Sequence, residues 1–196
     1  MTRPLLVVLT GPSGAGKDSL LAQLKSHERP DCHFAVTATT RAPRPGENEG
    51  VDYYFVSPER FEEMVGRDEL LEQALVYGER YGVPRAPVRE ALAQGKDVVL
   101  RTDVQGARYI KSIVPGAVTI FVLPPSEEEQ ERRLRSRGGD TAEQVELRLR
   151  TAREETASAG EFDHRVVNDD LSRCAGEIEE VIARERSRPG RAAVVV

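Results

Sequence analysis

Leu5-Leu6-Val7-Val8-Leu9-Thr10 runs directly into Gly11-Pro12-Ser13-Gly14-Ala15-Gly16-Lys17-Asp18-Ser19 and then into Leu20-Leu21-Ala22-Gln23-Leu24-Lys25. The first run is apolar without a break before Thr10, as expected of a strand buried on both faces in a parallel sheet. Leu20, Leu21 and Leu24 share one face of a helix that starts near Lys17. Between strand and helix lies G-x-x-x-x-G-K. Glycines there let the backbone curl with its N–H groups inward, which makes an anion nest. The helix adds its positive N-terminal end, and Lys17 adds a full charge for the β- and γ-phosphates of a triphosphate. The stretch Gly11, Pro12, Ser13, Gly14, Ala15, Gly16, Lys17, Asp18 and Ser19 is therefore read as a phosphate loop.

The motif departs from its usual form at the last position. Asp18 stands where a Ser or Thr hydroxyl would bind Mg²⁺, and Ser19 follows it. A carboxylate beside phosphate oxygens is repelled unless a cation lies between them. Mg²⁺ takes oxygen ligands and often keeps carboxylates and waters. Three readings stay open: Asp18 holds the metal directly or through water, Ser19 contributes, or metal binding is weaker.

Working outward, Asp97-Val98-Val99-Leu100 and Val118-Thr119-Ile120-Phe121-Val122-Leu123 are further apolar runs, each followed by a helical pattern, and Arg165-Val166-Val167-Asn168 is a weaker one. Strands alternating with helices indicate an α/β fold with a parallel sheet and helices on both faces. Residues 37–87 differ. They are rich in Arg, Pro, Gly, Tyr and Glu, with short alternating strands such as Tyr53-Tyr54-Phe55-Val56, and read as an inserted α+β lobe. Residues 127–150 are heavily charged and helical, broken at Gly138-Gly139. They read either as a solvated helical pair or as a lid carrying arginines to a phosphate. The core is left with about 4–36, 88–126 and 151–183. The tail, 184–196, opens with Arg184, Arg186, Arg188 and Arg191, ends in Val194-Val195-Val196, and is expected to fray.

Composition narrows the function. A chain of 196 residues with 39% hydrophobic residues and 16 glycines is ordinary globular material for one domain. A net charge of −5 disfavours nonspecific DNA or anionic-membrane binding. The 5% aromatic content and absence of Trp disfavour a base-stacking platform for single strands. No apolar run approaches the roughly 18 residues of a membrane span, and the N-terminal run is too short for a signal-peptide core. Cys32 and Cys174 fit no metal spacing and read as two reduced thiols in a cytoplasmic protein, and a monomer or homodimer is expected. His27, His33 and His164 form no pattern.

A second ligand is written in residues 37–47. Thr37-Ala38-Thr39-Thr40-Arg41-Ala42-Pro43-Arg44-Pro45-Gly46-Glu47 carries two arginines three apart, held by Pro and Gly. Guanidinium forks match phosphate oxygens bidentately, and Tyr53 and Tyr81 add hydroxyls. Glu69-Leu70-Leu71-Glu72 taken alone would pass for an ordinary helix surface. Arg101-Thr102-Asp103-Val104-Gln105-Gly106 closes the second apolar run, at the strand end where open α/β sheets place ligands.

The phosphate loop, Thr39-Thr40-Arg41-x-x-Arg44-x-Gly46-Glu47, Gly50-x-Asp52-Tyr53, Glu72, Tyr81-Gly82, Asp103-x-Gln105-Gly106 and Val167-Asn168-Asp169-Asp170 stand in the order found in guanylate kinases. The chain resembles that family from about residue 5 to 182. The resemblance implies a P-loop nucleoside-monophosphate kinase fold with ATP and GMP as substrates and Mg²⁺ accompanying ATP. It implies that Arg41, Arg44, Tyr53 and Tyr81 hold the GMP phosphate, that Glu72 takes the guanine N1–H and N2–H₂ edge, and that Thr37 meets guanine. Asp103 lies near the metal and the acceptor. Arg133, Arg137 and Arg148 serve the ATP phosphates, and Asn168 falls near the adenine. Two donors on one guanine edge suit one carboxylate, whereas adenine offers no such edge. The chain departs from the family at Val83, where Ser or Thr is usual beside guanine, and at Arg101, where an acidic residue is usual beside the base. Two rival readings are a ribose-bisphosphate kinase, whose phosphate loop resembles Gly16-Lys17-Asp18-Ser19, and a non-catalytic interaction module. The retained Glu72 argues against the first, and the intact Lys17 and glycines against the second.

Overall fold

A computed structural model describes residues 3–27, 29–136 and 141–196. Two sheets organise it. Strand β1 (Leu6–Thr10) is entirely buried. It leads through the glycine loop into α1 (Lys17–Ser26), which buries Leu20, Leu21 and Leu24. Then come β2 (Cys32–Phe34), β3 (Thr37–Thr39), β4 (Tyr53–Phe55), α2 (Pro58–Gly66), β5 (Leu70–Val76), β6 (Glu79–Pro84), α3 (Arg85–Ala93) and β7 (Asp97–Arg101). The remaining elements are α4 (Val104–Ile113), β8 (Val118–Leu123), α5 (Glu127–Ser136), α6 (Ala142–Ala157), β9 (His164–Val167) and α7 (Leu171–Ser187).

The larger sheet has the order β2-β7-β1-β8-β9, with every pairing parallel. Its central strand is the one that feeds the glycine loop. Side chains alternate across β1 and divide the interior in two. Leu5, Val7 and Leu9 pack with α1 and with Cys174, Ala175, Ile178, Val181 and Ile182 of α7. Leu6 and Val8 pack with Val88 and Ala91 of α3 and Val104, Ala107 and Ile110 of α4. The spacing on α7 and α4 is that of a one-faced helix. This is the doubly covered parallel sheet that the apolar runs predict.

The inserted lobe is built on the smaller sheet, β4-β3-β6-β5. Its β5–β6 hairpin closes through Tyr77-Gly78, both at positive φ (51° and 84°), the geometry of a tight turn that matches strand twist. The hairpin corrects the helical reading of the segment around Glu72. Leu70, Leu71 and Glu72 are consecutive buried residues of β5, and its burial alternates only further along.

The described residues of 127–150 fall in α5, in the Thr141 cap and in α6, which continues to Ala157. It begins with a reciprocal cap between Thr141 and Gln144. The expected break at Gly138-Gly139, and Arg137, lie outside the described residues. The tail does not fray. Arg191 is 9% exposed and donates to the carbonyls of Arg3 (2.5 Å) and Pro4 (3.2 Å). Val194 and Val196 pack on the core, and Arg89 Nε donates to the Val196 carbonyl (3.1 Å). The polar, basic reading of this segment missed that its arginine supplies donors to the chain entering β1.

Candidate active site

One cleft opens over the C-terminal ends of β1 and β7, between the glycine loop and the hairpin. Its walls include Gly11, Ser13, Gly14, Gly16, Lys17, Asp18, Thr37, Arg41, Arg44, Tyr53, Glu72, Tyr81, Arg101, Thr102, Asp103, Arg148 and Glu155. Pro12, Ala15, Ser19, Val83, Arg133 and Asn168 are not among the lining residues.

The loop has its shape because two positions exclude any side chain. A Cβ on Gly11 (φ 139°) would run into the Val122 carbonyl, and one on Gly16 (φ 85°) into the Asn168 amide. The loop is braced from behind. Asn168, 4% exposed, donates from Nδ2 to the Ala15 carbonyl (2.8 Å). Gln130 of α5 donates to the Ser13 carbonyl (2.7 Å). Arg133 reaches the carbonyls of Asn168 (3.0 Å) and Ala15 (3.5 Å) while paired with Glu129. Carbonyls engaged on the outside keep the loop's N–H groups turned inward. Lys17 Nζ donates to the carbonyls of Gly11 (2.5 Å) and Pro12 (2.9 Å).

Helix α6 contributes two residues from one helical face. The Arg148 guanidinium lies 4.7 Å from the Tyr77 ring centroid at the hairpin tip. Seven positions on, the Glu155 carboxylate accepts from the Ser13 N–H and faces Lys17. Burial, with Asp103 nearby, pushes its pKa up to about 6 against the pull of Lys17.

On the lobe side, Arg41 is paired with both oxygens of Glu47 (2.8 and 3.0 Å) and lies 5.3 Å from the Tyr53 ring centroid. The Arg44 N–H donates to the same carboxylate (2.7 Å). Tyr81 meets Tyr53 edge-on at 6.1 Å. The Glu47 carboxylate thus holds the Arg41–Arg44 turn in one shape.

Glu72 is 3% exposed. It accepts from the Val83 N–H across the hairpin, and its Oε2 has no hydrogen-bond partner. Burial, then the neighbouring Asp103 charge, raises its pKa to about 8. Val83 is fully buried and contributes its backbone here. The Thr37 hydroxyl makes a long contact with the Arg101 carbonyl (3.5 Å). Asp103 Oδ1 caps α4 by accepting from the Gly106 N–H (2.9 Å). The hydroxyls of Thr10 and Thr102, at neighbouring strand ends, are buried without partners. Arg101, expected beside the base, pairs with Asp18.

Sequence reasoning did not single out Gln130, Tyr77, Thr102 or Glu155. Gln130 and Glu155 carry a periodic signal, since each shares a helix face with a basic residue already singled out, Arg133 and Arg148. Tyr77 and Thr102 become visible only once the sheet register is known.

No three His, Cys, Asp or Glu side chains converge on a metal position among the described residues. Of the three oxygen donors expected for a metal, Asp18 and Asp103 line the cleft, whereas Ser19 does not. This set suits Mg²⁺, which takes one or two protein oxygens and completes its shell with phosphate and water.

A sequence model described as guanylate kinase matches residues 2–185. The chain is 44% identical over 191 residues to the guanylate kinase of Carboxydothermus hydrogenoformans, covering 97% of this chain and 93% of that one. It is 50% identical over 177 residues to that of Thermosynechococcus vestitus, covering 90% and 92%. The crystal structure of guanylate kinase from Anaplasma phagocytophilum superposes with a TM-score of 0.80 at 32% identity, covering 97% of this chain and 90% of that one. With its glycine loop at the central strand, its arginine turn and its buried glutamate all in one cleft, the chain belongs to the guanylate kinase family.

Proposed function

We infer that the chain transfers the γ-phosphoryl group of ATP to GMP, and to dGMP, giving ADP and the nucleoside diphosphate. The observation that carries the choice of acceptor is the Glu72 carboxylate. It is buried at the cleft wall, has one oxygen without a partner, and has a single backbone donor on the other. A group so placed calls for a ligand edge with two donors, and guanine N1–H and N2–H₂ supply one. Adenine would leave the carboxylate facing an acceptor, which costs the site its unmade bonds. A ribose bisphosphate offers hydroxyls but no base edge with two parallel N–H donors.

The other residues follow from charge. The inward N–H groups of residues 13–17 and the Lys17 ammonium hold the donor phosphates. Arg41, Arg44, Tyr53 and Tyr81 hold the acceptor phosphate, and Arg133, Arg137 and Arg148 neutralise charge on the transferring group. The acceptor oxygen is already an anion, so neither a general base nor a covalent nucleophile is needed, and catalysis is positioning plus charge neutralisation. Asp18, Ser19 or Asp103 would hold a Mg²⁺ brought with ATP, which would supply further charge neutralisation at the phosphates. No described helix is long and apolar enough to cross a membrane. Both cysteines are free, in keeping with a reducing cytoplasm.

A coupled assay of ADP release tests the reading with GMP, dGMP, AMP, UMP, CMP and ribose 1,5-bisphosphate offered separately. GMP and dGMP are expected to be turned over and the others to be poor. Preference for ribose 1,5-bisphosphate or AMP would refute the assignment.

A further inference from the structure

Asp18 follows the loop lysine, and Arg101 ends β7 on the adjacent strand. Their side chains form an ion pair. The pair is lopsided, because the Arg101 side chain is 11% exposed and that of Asp18 is 46% exposed. The Arg101 guanidinium also lies over the Tyr53 ring, 4.6 Å from its centroid. Arg41 approaches the same ring at 5.3 Å. Tyr53 therefore carries two guanidinium groups, one from the lobe and one from the core sheet, and each has its own carboxylate, Glu47 or Asp18.

A cation this far from water is held only with an anion beside it. The buried member of the pair is fixed by the tyrosine ring and the strand end, whereas the carboxylate is half open to water, which screens its hold on the guanidinium. Among the described residues, the single side-chain hydrogen bond of Arg101 uses Nη1, out of five donors in the fork. An incoming phosphate dianion offers the guanidinium more charge and more acceptor oxygens than one carboxylate does.

We propose that Arg101 is a third arginine of the acceptor-phosphate clamp, kept in place by Asp18 until a phosphate monoester dianion arrives. This rests on the reading of Arg41, Arg44, Tyr53 and Tyr81 as the acceptor-phosphate site. The contact is directed at phosphate and is blind to the base, which leaves base choice to Glu72. Asp18, in turn, is a positioning residue that competes with the substrate for the same guanidinium.

Calorimetric titration of GMP and of guanosine, without ATP or metal, separates the possibilities. The proteins compared are the unaltered chain, Arg101→Met, Arg101→Lys and Asp18→Asn, with thermal melting of each. Arg101→Met is expected to weaken GMP about 10- to 100-fold, the worth of a charge-assisted hydrogen bond, with guanosine affinity unchanged within about twofold. Arg101→Lys keeps the charge without the fork and is expected to fall between. Asp18→Asn removes the competitor and is expected to tighten GMP severalfold, again with guanosine unchanged. Equal weakening of GMP and guanosine by a folded Arg101→Met, or no weakening of GMP, would overturn the proposal. If Arg101→Met does not fold, Asp18→Asn decides alone, and unchanged or weaker GMP binding there would overturn it. An unaltered chain that binds no GMP would remove the acceptor site itself, and Arg101's role with it.

Discussion

The Glu72 carboxylate packs against the bare α-carbon of Gly106, so closely that a methyl group at 106 would lie on Oε2 and 3.0 Å from the carboxyl carbon. Gly106 sits in the first turn of α4, with its N–H capped by Asp103. Two effects compete in Gly106→Ala. Helix propensity favours Ala by about 1 kcal/mol, and overpacking against a fixed side chain costs about 1–3 kcal/mol. The clash is expected to win. The variant should melt lower than the unaltered chain and raise KM for GMP at least tenfold, with KM for ATP unchanged. Denaturant titration and steady-state kinetics read the two effects.

Glu72 also makes stability depend on pH. Its folded pKa, about 8, lies above the ordinary carboxylate value of 4.5. The folded state therefore holds a proton that the unfolded chain has released, and stability falls as pH rises from about 4.5 to about 8. Glu72→Gln, with no proton to lose, should flatten that part of the melting profile and be the more stable protein at pH 8. GMP binding favours the ionised carboxylate, so it should release a proton near pH 7. Titrations in buffers of different ionisation enthalpy measure that proton, and Glu72→Gln should abolish it.

Lys17 touches carbonyls of its own loop and packs little. Lys17→Ala should leave the melting temperature within a few degrees while lowering kcat by about 10²- to 10³-fold or more, as for loss of a preorganised charge at a reacting group. A folded Lys17→Ala enzyme with near-normal turnover would take the loop out of the donor site.

Much of this was legible in the residues. The apolar runs at 5–10, 97–100 and 118–123 gave three of the five strands of the larger sheet, because burial on both faces leaves no polar alternation to confuse the reading. β9 was weaker, since only Val166 of its four residues is buried. β2 is three half-buried residues and gave no pattern. Glu72 taken alone passes for a helix-surface residue, and it is the pairing of β5 with β6 that shows it as a buried strand residue. At the site, chemistry carried by local spacing was visible: the glycine loop and the Arg41–Arg44 turn. Chemistry made by sheet register was not. The partner of Arg101 is 83 positions away, and the brace on Ser13 comes from Gln130, 117 positions away.

Asn168 tests that brace. Asn168→Ala takes from the buried Ala15 carbonyl its 2.8 Å donor and leaves it only the long 3.5 Å contact from Arg133. It should cost about 1–3 kcal/mol of stability, read by denaturant titration. It should also raise KM for ATP more than KM for GMP, because the loosened loop belongs to the donor side.

Glu155 places a carboxylate at the Ser13 N–H, where a donor phosphate would compete with it. Lys17, Asp103 and Arg108 are the charged groups that face it. ATP brings more negative charge and so favours the protonated form of a group already at about 6. ATP affinity should therefore rise as pH falls from 7 to 5.5. Glu155→Gln should bind ATP more tightly at pH 7 and show a flatter dependence, both read by equilibrium titration.

The contact between Arg148 and Tyr77 ties α6 to the hairpin that carries Glu72. For Arg148 to engage a phosphate, it must leave that ring, at a cost of about 0.5–2 kcal/mol. Whichever nucleotide first draws it away bears this cost, and the second then binds to a chain already released. By linkage the benefit is the same in either order. The two substrates should accordingly bind with mutual synergy of about 2- to 30-fold, and Tyr77→Leu, which removes the ring from the hairpin tip, should abolish it.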